Sequence, residues 1–533
     1  MQKAYDYVIV GAGSAGCVLA AKLSENADST VLLLEAGGTD WDPLISIPIG
    51  MGLLHRHQLH DWAYVSEPEP FLDNRRIQLA AGKVLGGSSS INVMAYTRGN
   101  PGDYDRWAAN GATGWSYKET LPYFKACETF EGGASEARGG SGPLGTQFAK
   151  TKDPIFPAWM EAGQQAGFPI TDDYNGGQQE GFGRGQYTIR DGRRCSAARA
   201  FLNPARGRPN LTIVTGAQAL ELTFDGQRAS GIRVSIKGQV EVVEARREIV
   251  ISSGAYQSPR LLMLSGIGPA DDLKALGITP RVDLPVGHDL QDHIGAWINW
   301  TRKSPGTFHS AMRLDRMAVS MVQAYVSGEG PATVVPGGLH AFVKTKPDIP
   351  VPDIEFLFHT VPPDTRTWLP GLRPAYDDGY AIRPVLLHPK SRGRVSLASA
   401  DPRDPPRIQY NFLSHPDDLP VLREGFKRAR DVGEQAAMDP YRDVESNPGK
   451  DVRTDAEIDA FLRRTISTVH HPSSTCRMGS DETSVLDTQM RVRGVDGLRV
   501  CDASAFPDLI SGHLNAGVIM MAAKTADMMK GNG

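Results

Sequence analysis

At 533 residues, 40% hydrophobic and 22% charged, the chain is long enough for a large buried core, and a formal charge of −4 at pH 7 gives no global basic field to draw nucleic acid. Five cysteines, Cys17, Cys127, Cys195, Cys476 and Cys501, are scattered without CxxC spacing, which speaks against a disulfide framework and a zinc site and for reduced thiols. The opening MQKAYDYVIVGAG shows no basic leader with an apolar h-region, and no apolar run approaches the ~20 residues that span a bilayer, so a soluble cytoplasmic protein is expected.

The first predicted element is a strand in YDYVIV, followed at once by GAGSAG and by helical spacing of apolar residues in CVLAAKLSENADS. In such a strand–turn–helix unit Gly11 permits the turn, Gly13 lets a pyrophosphate approach the backbone and Gly16 lets helix and strand pack closely. A second apolar run, TVLLLEAG, ends in Glu35 about 20 residues beyond the turn, where a carboxylate can accept hydrogen bonds from ribose hydroxyls. The acidic residue disfavours a 2′-phosphorylated nucleotide.

The next stretch, GKVLGGSSSINVMAYTRGNPGDYDRW, resembles the flavin-contacting signature of the glucose-methanol-choline (GMC) oxidoreductases, and GAYQSPRLLMLSGIGP resembles that family's second signature. Further matches are VGHDLQDHIG, HPKSRGRVSLASADPRDPP, HPSSTCRMG and VCDASAFP, so the resemblance extends over nearly the whole chain. It implies FAD as cofactor and an α/β fold in which a Rossmann-like FAD-binding domain is interrupted by an α+β substrate domain built on an antiparallel sheet. The expected boundaries are FAD-binding segments at 1–155, 190–295 and 465–533 and substrate segments at 156–189 and 296–464. The cofactor residues expected on this basis are Gly11, Gly13, Ser14, Gly16, Glu35, Ala36, Gly82, Gly86, Gly87, Ser88, Asn92, Asp502, Ala503 and Asn515. Some relatives bond the flavin covalently through a histidine near the first signature; Asn92 is aligned with that position, so FAD is expected to be held non-covalently.

Beyond residue 100, DPIFPAWMEAGQQAG reads as a helix and NLTIVTGAQALELTF and EIVISSGA as strands. Between about 300 and 460, PDIEFLFHT, YAIRPVLLH and GRVSLAS alternate as strands of a half-buried antiparallel sheet would, while VPPDTRTWLPGLRP reads as a surface loop.

Near the C-terminus come STVHHPSSTCRMG and SGHLNAG. Oxidising an alcohol removes a hydroxyl proton and a hydride from the same carbon, and imidazole suits the proton step near neutral pH. The family motif selects His471, immediately before Pro472, as the base, and His513 as the second polar residue, with Asn515 in reserve. His470 is expected to pack or face solvent, because neighbouring side chains of extended backbone diverge. His288 and His293 are expected in structural roles, and no metal site is expected. Ser474 and Ser196 lack a GxSxG elbow. Many choline-dehydrogenase-like members carry Asn at the second position, so the histidine pair departs from a choline-type pattern. The resemblance thus implies FAD-dependent oxidation of a primary alcohol to an aldehyde, with a quinone-like compound or oxygen as acceptor. A lyase of the same fold, retaining FAD without net redox chemistry, is the alternative.

Overall fold

The computed structural model describes residues 2–531. The first expected unit forms β1 (Ala4–Val10), α1 (Ser14–Leu23) and β2 (Val31–Glu35). β1 and β2 run parallel, with Val8 opposite Leu32 and Val10 opposite Leu34. Val8, Ile9, Leu32 and Leu33 are wholly buried. Strands of a parallel sheet are covered on both faces and so read as continuous apolar runs, each such side chain contributing about 1.5–3 kcal/mol by its burial. β3 (Leu211–Thr215), β4 (Ala217–Asp225), β5 (Arg228–Ile236) and β6 (Gln239–Ile251) complete this sheet in the order β3–β2–β1–β6–β5–β4. The late strand Leu498–Val500 pairs in parallel with β6, bringing residues near the C-terminus back beside the N-terminal unit.

A second sheet is antiparallel throughout. It contains β7 (Ile298–Arg302), β8 (Gly337–Val343), β9 (Ile354–His359), β10 (Gly379–Leu386) and β11 (Arg442–Asn447), in the order β11–β7–β10–β9–β8, with Gly181–Arg184 beyond β8. The short strand Ile294–Gly295 joins β10 to Ser467–Thr468, so the segment leading into His470 and His471 is stitched to this sheet. Two expectations change here. The inner strands of the sheet are not half-buried: every position of β8 and of β10 is buried, with α2 (Asp418–Glu434) laying Leu422, Phe426 and Ala429 against one face, whereas the edge strand β11 has no buried position. GRVSLAS does not join the sheet, since Arg394–Ser396 pairs with Arg407–Gln409 in a separate ribbon. No helix among the described residues is long and apolar enough to cross a membrane. All five cysteines are buried and unpaired.

α1 and β1 meet at a glycine. A Cβ on Gly16 would lie 1.9 Å from the Gly11 carbonyl oxygen, whereas a Cβ on Gly13 would meet nothing nearer than 3.8 Å. Gly16→Ala should therefore cost about 1–3 kcal/mol through overpacking, and Gly13→Ala less than about 0.5 kcal/mol, as measured by denaturant unfolding without added nucleotide. Equal losses in the two variants would contradict this packing account.

Candidate active site

The two glycine turns of the sequence press against each other. Gly86 and Gly87 adopt φ of +88° and +53°, and a Cβ on Gly87 would come within 2.7 Å of Gly13 Cα. The Gly86 N–H donates to the Ala12 carbonyl at 2.7 Å, and the Gly82 N–H donates to Ser88 Oγ at 3.1 Å. What remains at the start of α1 is a turn without side chains beside Gly13, next to Ser252, whose buried hydroxyl has no partner among the described residues. A side-chain-free turn at a helix N-terminus with an unused hydroxyl beside it fits a dinucleotide pyrophosphate.

Several expected cofactor residues are also engaged by the chain itself. Glu35 is buried and accepts from the Ala12 N–H at 2.9 Å and the Gly37 N–H at 2.8 Å. Burial pushes its carboxyl up to about 7 against those two hydrogen bonds. The carboxylate therefore ties the first turn to the end of β2, and only its remaining lone pairs are open to a ribose. Asp502 accepts from the Gly254 N–H at 2.8 Å, from Ser258 Oγ at 2.5 Å and from the Ser504 N–H at 2.8 Å, which places a negative charge at the start of the helix Gly254–Leu264. Ala36 and Ala503 are half-buried beside these two acids. Asn92 Oδ1 accepts from the Met94 N–H at 3.0 Å and from Arg194 Nη1 at 2.8 Å. Ser14 Oγ donates to Asn515 Oδ1 at 2.7 Å, fastening α1 to the first residue of α3 (Asn515–Met529). That contact turns the Asn515 oxygen towards the first glycine turn.

His471 and His513 are brought together. His471 Nε2 and His513 Nδ1 lie 3.1 Å apart with the rings at 85°. The His471 N–H donates to Asp292 Oδ1 at 2.8 Å, and Asp292 also accepts from the Thr468 hydroxyl. Burial raises the Asp292 carboxyl to about 7, the Thr468 and His471 hydrogen bonds working in the opposite sense. Burial, and then the neighbouring rings of His513 and His293, push the His471 imidazole well below its ordinary value, so the neutral base form is favoured. His470, with φ +64°, turns the other way and accepts from the Ala80 N–H at 3.2 Å.

Four residues were not anticipated as parts of this site. His293 is fully buried with Nδ1 2.9 Å from His471 Nδ1, a direct contact between the two rings; His288 is exposed. Asp292, next to it, holds the His471 backbone. His340 on β8 and Glu355 on β9 complete the set: His340 Nδ1 contacts Glu355 Oε1 at 2.8 Å, and His513 Nε2 lies 3.4 Å from the same oxygen. His340, Glu355 and His513 present side-chain nitrogen and oxygen atoms within 4.8 Å of one another. His340 is hydrogen-bonded to Glu355, while His513 Nε2 approaches the carboxylate without a hydrogen bond of good geometry. In sequence, Glu355 is a carboxylate inside the apolar run DIEFLFH, on the same strand face as Leu357 and His359; that misplaced charge is the one signal that marks it. Beside the histidine pair lies a small pocket lined by Met51, Val93, Tyr187, Leu357, His359 and His513.

Comparison with known proteins follows the same lines. The family models of the GMC oxidoreductases match residues 5–295 and 389–522. An oxygen-dependent choline dehydrogenase of Sinorhizobium fredii is 44% identical over 529 residues, covering 99% of this chain and 95% of its own. Pyridoxine 4-oxidase from Mesorbium loti superposes with a TM-score of 0.89 at 32% identity, covering 99% of this chain and all of that one. A formate oxidase variant of Aspergillus oryzae RIB40, studied for its FAD modification, superposes with a TM-score of 0.90 at 27% identity over 99% of this chain and 98% of its own. With both family models matched and the fold shared end to end, the chain belongs to the GMC oxidoreductases, FAD enzymes that act on CH–OH donors.

Proposed function

We propose that this chain oxidises a neutral primary alcohol to the aldehyde, with His471 as general base and FAD held without a covalent bond. The observation that carries the reading is the facing pair of His471 Nε2 and His513 Nδ1 beside the pocket. An alcohol oxygen that displaces the direct contact of these two nitrogens meets a base on one side and a hydrogen-bond donor on the other, which is what removal of a hydroxyl proton requires. FAD, when bound along the two glycine turns, Glu35 and the Asp502–Ala503 segment, supplies a hydride acceptor for the carbinol carbon. His471 is held by the Asp292 contact at its backbone and the His293 contact at its ring, so its lone pair keeps one direction. The surrounding burial excludes water and keeps the ring neutral. Non-covalent binding is supported by Asn92, an amide whose oxygen is already held by Arg194 and Met94. Oxygen as acceptor is favoured by the names of the relatives; a quinone-like acceptor is the alternative.

Choline would find no free carboxylate here. A quaternary ammonium calls for an unpaired carboxylate or an aromatic cage. Glu355, the carboxylate behind the pocket, is engaged by His340 and His513, and the wall mixes Met51, Val93 and Leu357 with the rings of Tyr187 and Phe358.

The purified protein should be yellow and release its FAD on acid precipitation; flavin retained on the denatured chain would contradict non-covalent binding. Under anaerobic conditions benzyl alcohol should bleach the flavin faster than choline does, and the lyase alternative predicts no bleaching by either. His471→Ala should keep FAD and lose about 10²–10⁴-fold in the rate of flavin reduction, whereas His470→Ala should remain near wild type. Because the His471 imidazole is pushed down, the base is lost only as pH falls through that lowered value, so the acid limb of reduction should lie below the ordinary ~6.5 of histidine. A limb above that pH would count against His471 as the base.

A further inference from the structure

The network behind His513 contains a charge that needs a partner. Glu355 is 1% exposed. Among the described residues no arginine or lysine bridges it; its ion-pair contacts are two imidazoles, His340 at 2.8 Å and His513 at 3.4 Å. A buried carboxylate without a cation costs several kcal/mol, so one neighbouring ring is expected to carry a proton. Burial alone would raise the Glu355 carboxyl, yet the facing His513 charge and the His340 hydrogen bond hold it well below the usual carboxylate range.

Counting protons along the chain of rings shows where that proton belongs. His513 faces Glu355 through Nε2 and His471 Nε2 through Nδ1. His471 in turn faces His293 Nδ1 through its own Nδ1. Two arrangements satisfy these contacts. In one, all three rings are neutral, protons point from His293 towards Glu355, and His471 Nε2 carries hydrogen, so it cannot accept a proton. In the other, His513 is doubly protonated and donates to Glu355 and towards His471, whose Nδ1–H donates to His293 and whose Nε2 keeps its lone pair. The second arrangement gives the buried carboxylate its cation and leaves His471 a base. The other titratable groups around these rings are His340 on β8 and Tyr174 and Tyr187 near Glu355, Asp292, His470 and Arg383 near His471, and His388 near His293; both tyrosines are pushed up by burial and stay neutral at neutral pH.

We propose that Glu355 is a positioning residue of the oxidation: steered by His340, its carboxylate keeps His513 as an imidazolium whose Nδ1–H holds the substrate oxygen while His471 Nε2 accepts the hydroxyl proton. This rests on the reading of His471 as base. It adds a role for a β9 carboxylate that acts only through another side chain. As the hydroxyl loses its proton to His471, the oxygen gains negative charge, and a cationic donor there stabilises that charge more than a neutral one would.

The test uses the FAD-loaded enzyme with ¹⁵N-labelled histidine and benzyl alcohol as the reductant. Wild type should show a histidine imidazolium signal that persists at pH 8 and disappears in both Glu355→Gln and His513→Asn but survives in His340→Asn. Losing the carboxylate behind a charged donor should make Glu355→Gln slow anaerobic reduction at pH 8 by roughly tenfold or more. Absence of the signal in wild type, or its loss only in His340→Asn, would overturn the proposal, as would unslowed reduction at pH 8 in Glu355→Gln. Failure of the His471 reading is separable: His471→Ala would then reduce flavin normally whatever the imidazolium signal does. Should Glu355→Gln fail to fold, the wild-type signal and the His513→Asn spectrum still decide.

Discussion

A buried carboxylate reached by no arginine or lysine sets the terms for the catalytic end of this protein. Glu355 is a buried position of β9, and the nearest compensation available to it is imidazole. Once one ring is drawn towards it, the orientation of the next ring follows, and so on through His513 and His471 to His293. The order of these contacts makes the direction of proton flow a property of the fold rather than of any single histidine. The same constraint argues for a neutral substrate, because a carboxylate already matched by imidazoles offers little to a permanent cation.

The cofactor end obeys a different constraint, that of space. Gly16 lets α1 lie on β1, and Gly87 lets the second turn touch Gly13, so two stretches some 70 residues apart form one surface for a dinucleotide. Glu35 and Asp502 then serve two purposes, closing a turn and a helix start with backbone hydrogen bonds while remaining at the edge of that surface. Asn515 joins the two ends of the chain through Ser14. Replacing Glu35 by alanine would consequently disturb the turn as well as any ribose contact, so its isosteric amide is the cleaner probe of nucleotide binding.

The sequence made β1–α1–β2 legible because strand, turn, helix and acid follow one another within 35 residues, and each has its own local signal. The histidine segments were legible through family motifs. His340, Glu355, Asp292 and the ring contact of His293 were not, because they meet His471 and His513 only after β8, β9 and the Ile294–Gly295 strand pair across distances that no local pattern encodes. Period-2 alternation also misjudged the second sheet: polar residues such as His340, Glu355 and Arg383 occupy positions that look solvent-facing by spacing, yet face the interior network. GRVSLAS carried the right local propensity for a strand and the wrong partner.

A crystal structure of the FAD-loaded enzyme with an unreactive alcohol mimic such as trifluoroethanol, which keeps the hydroxyl, tests the central claim most directly. The account predicts the mimic's oxygen within hydrogen-bond distance of both His471 Nε2 and His513 Nδ1, with the carbinol carbon facing the flavin and Glu355 still in contact with His513. An oxygen bound elsewhere in the pocket, away from His471 Nε2, would contradict it.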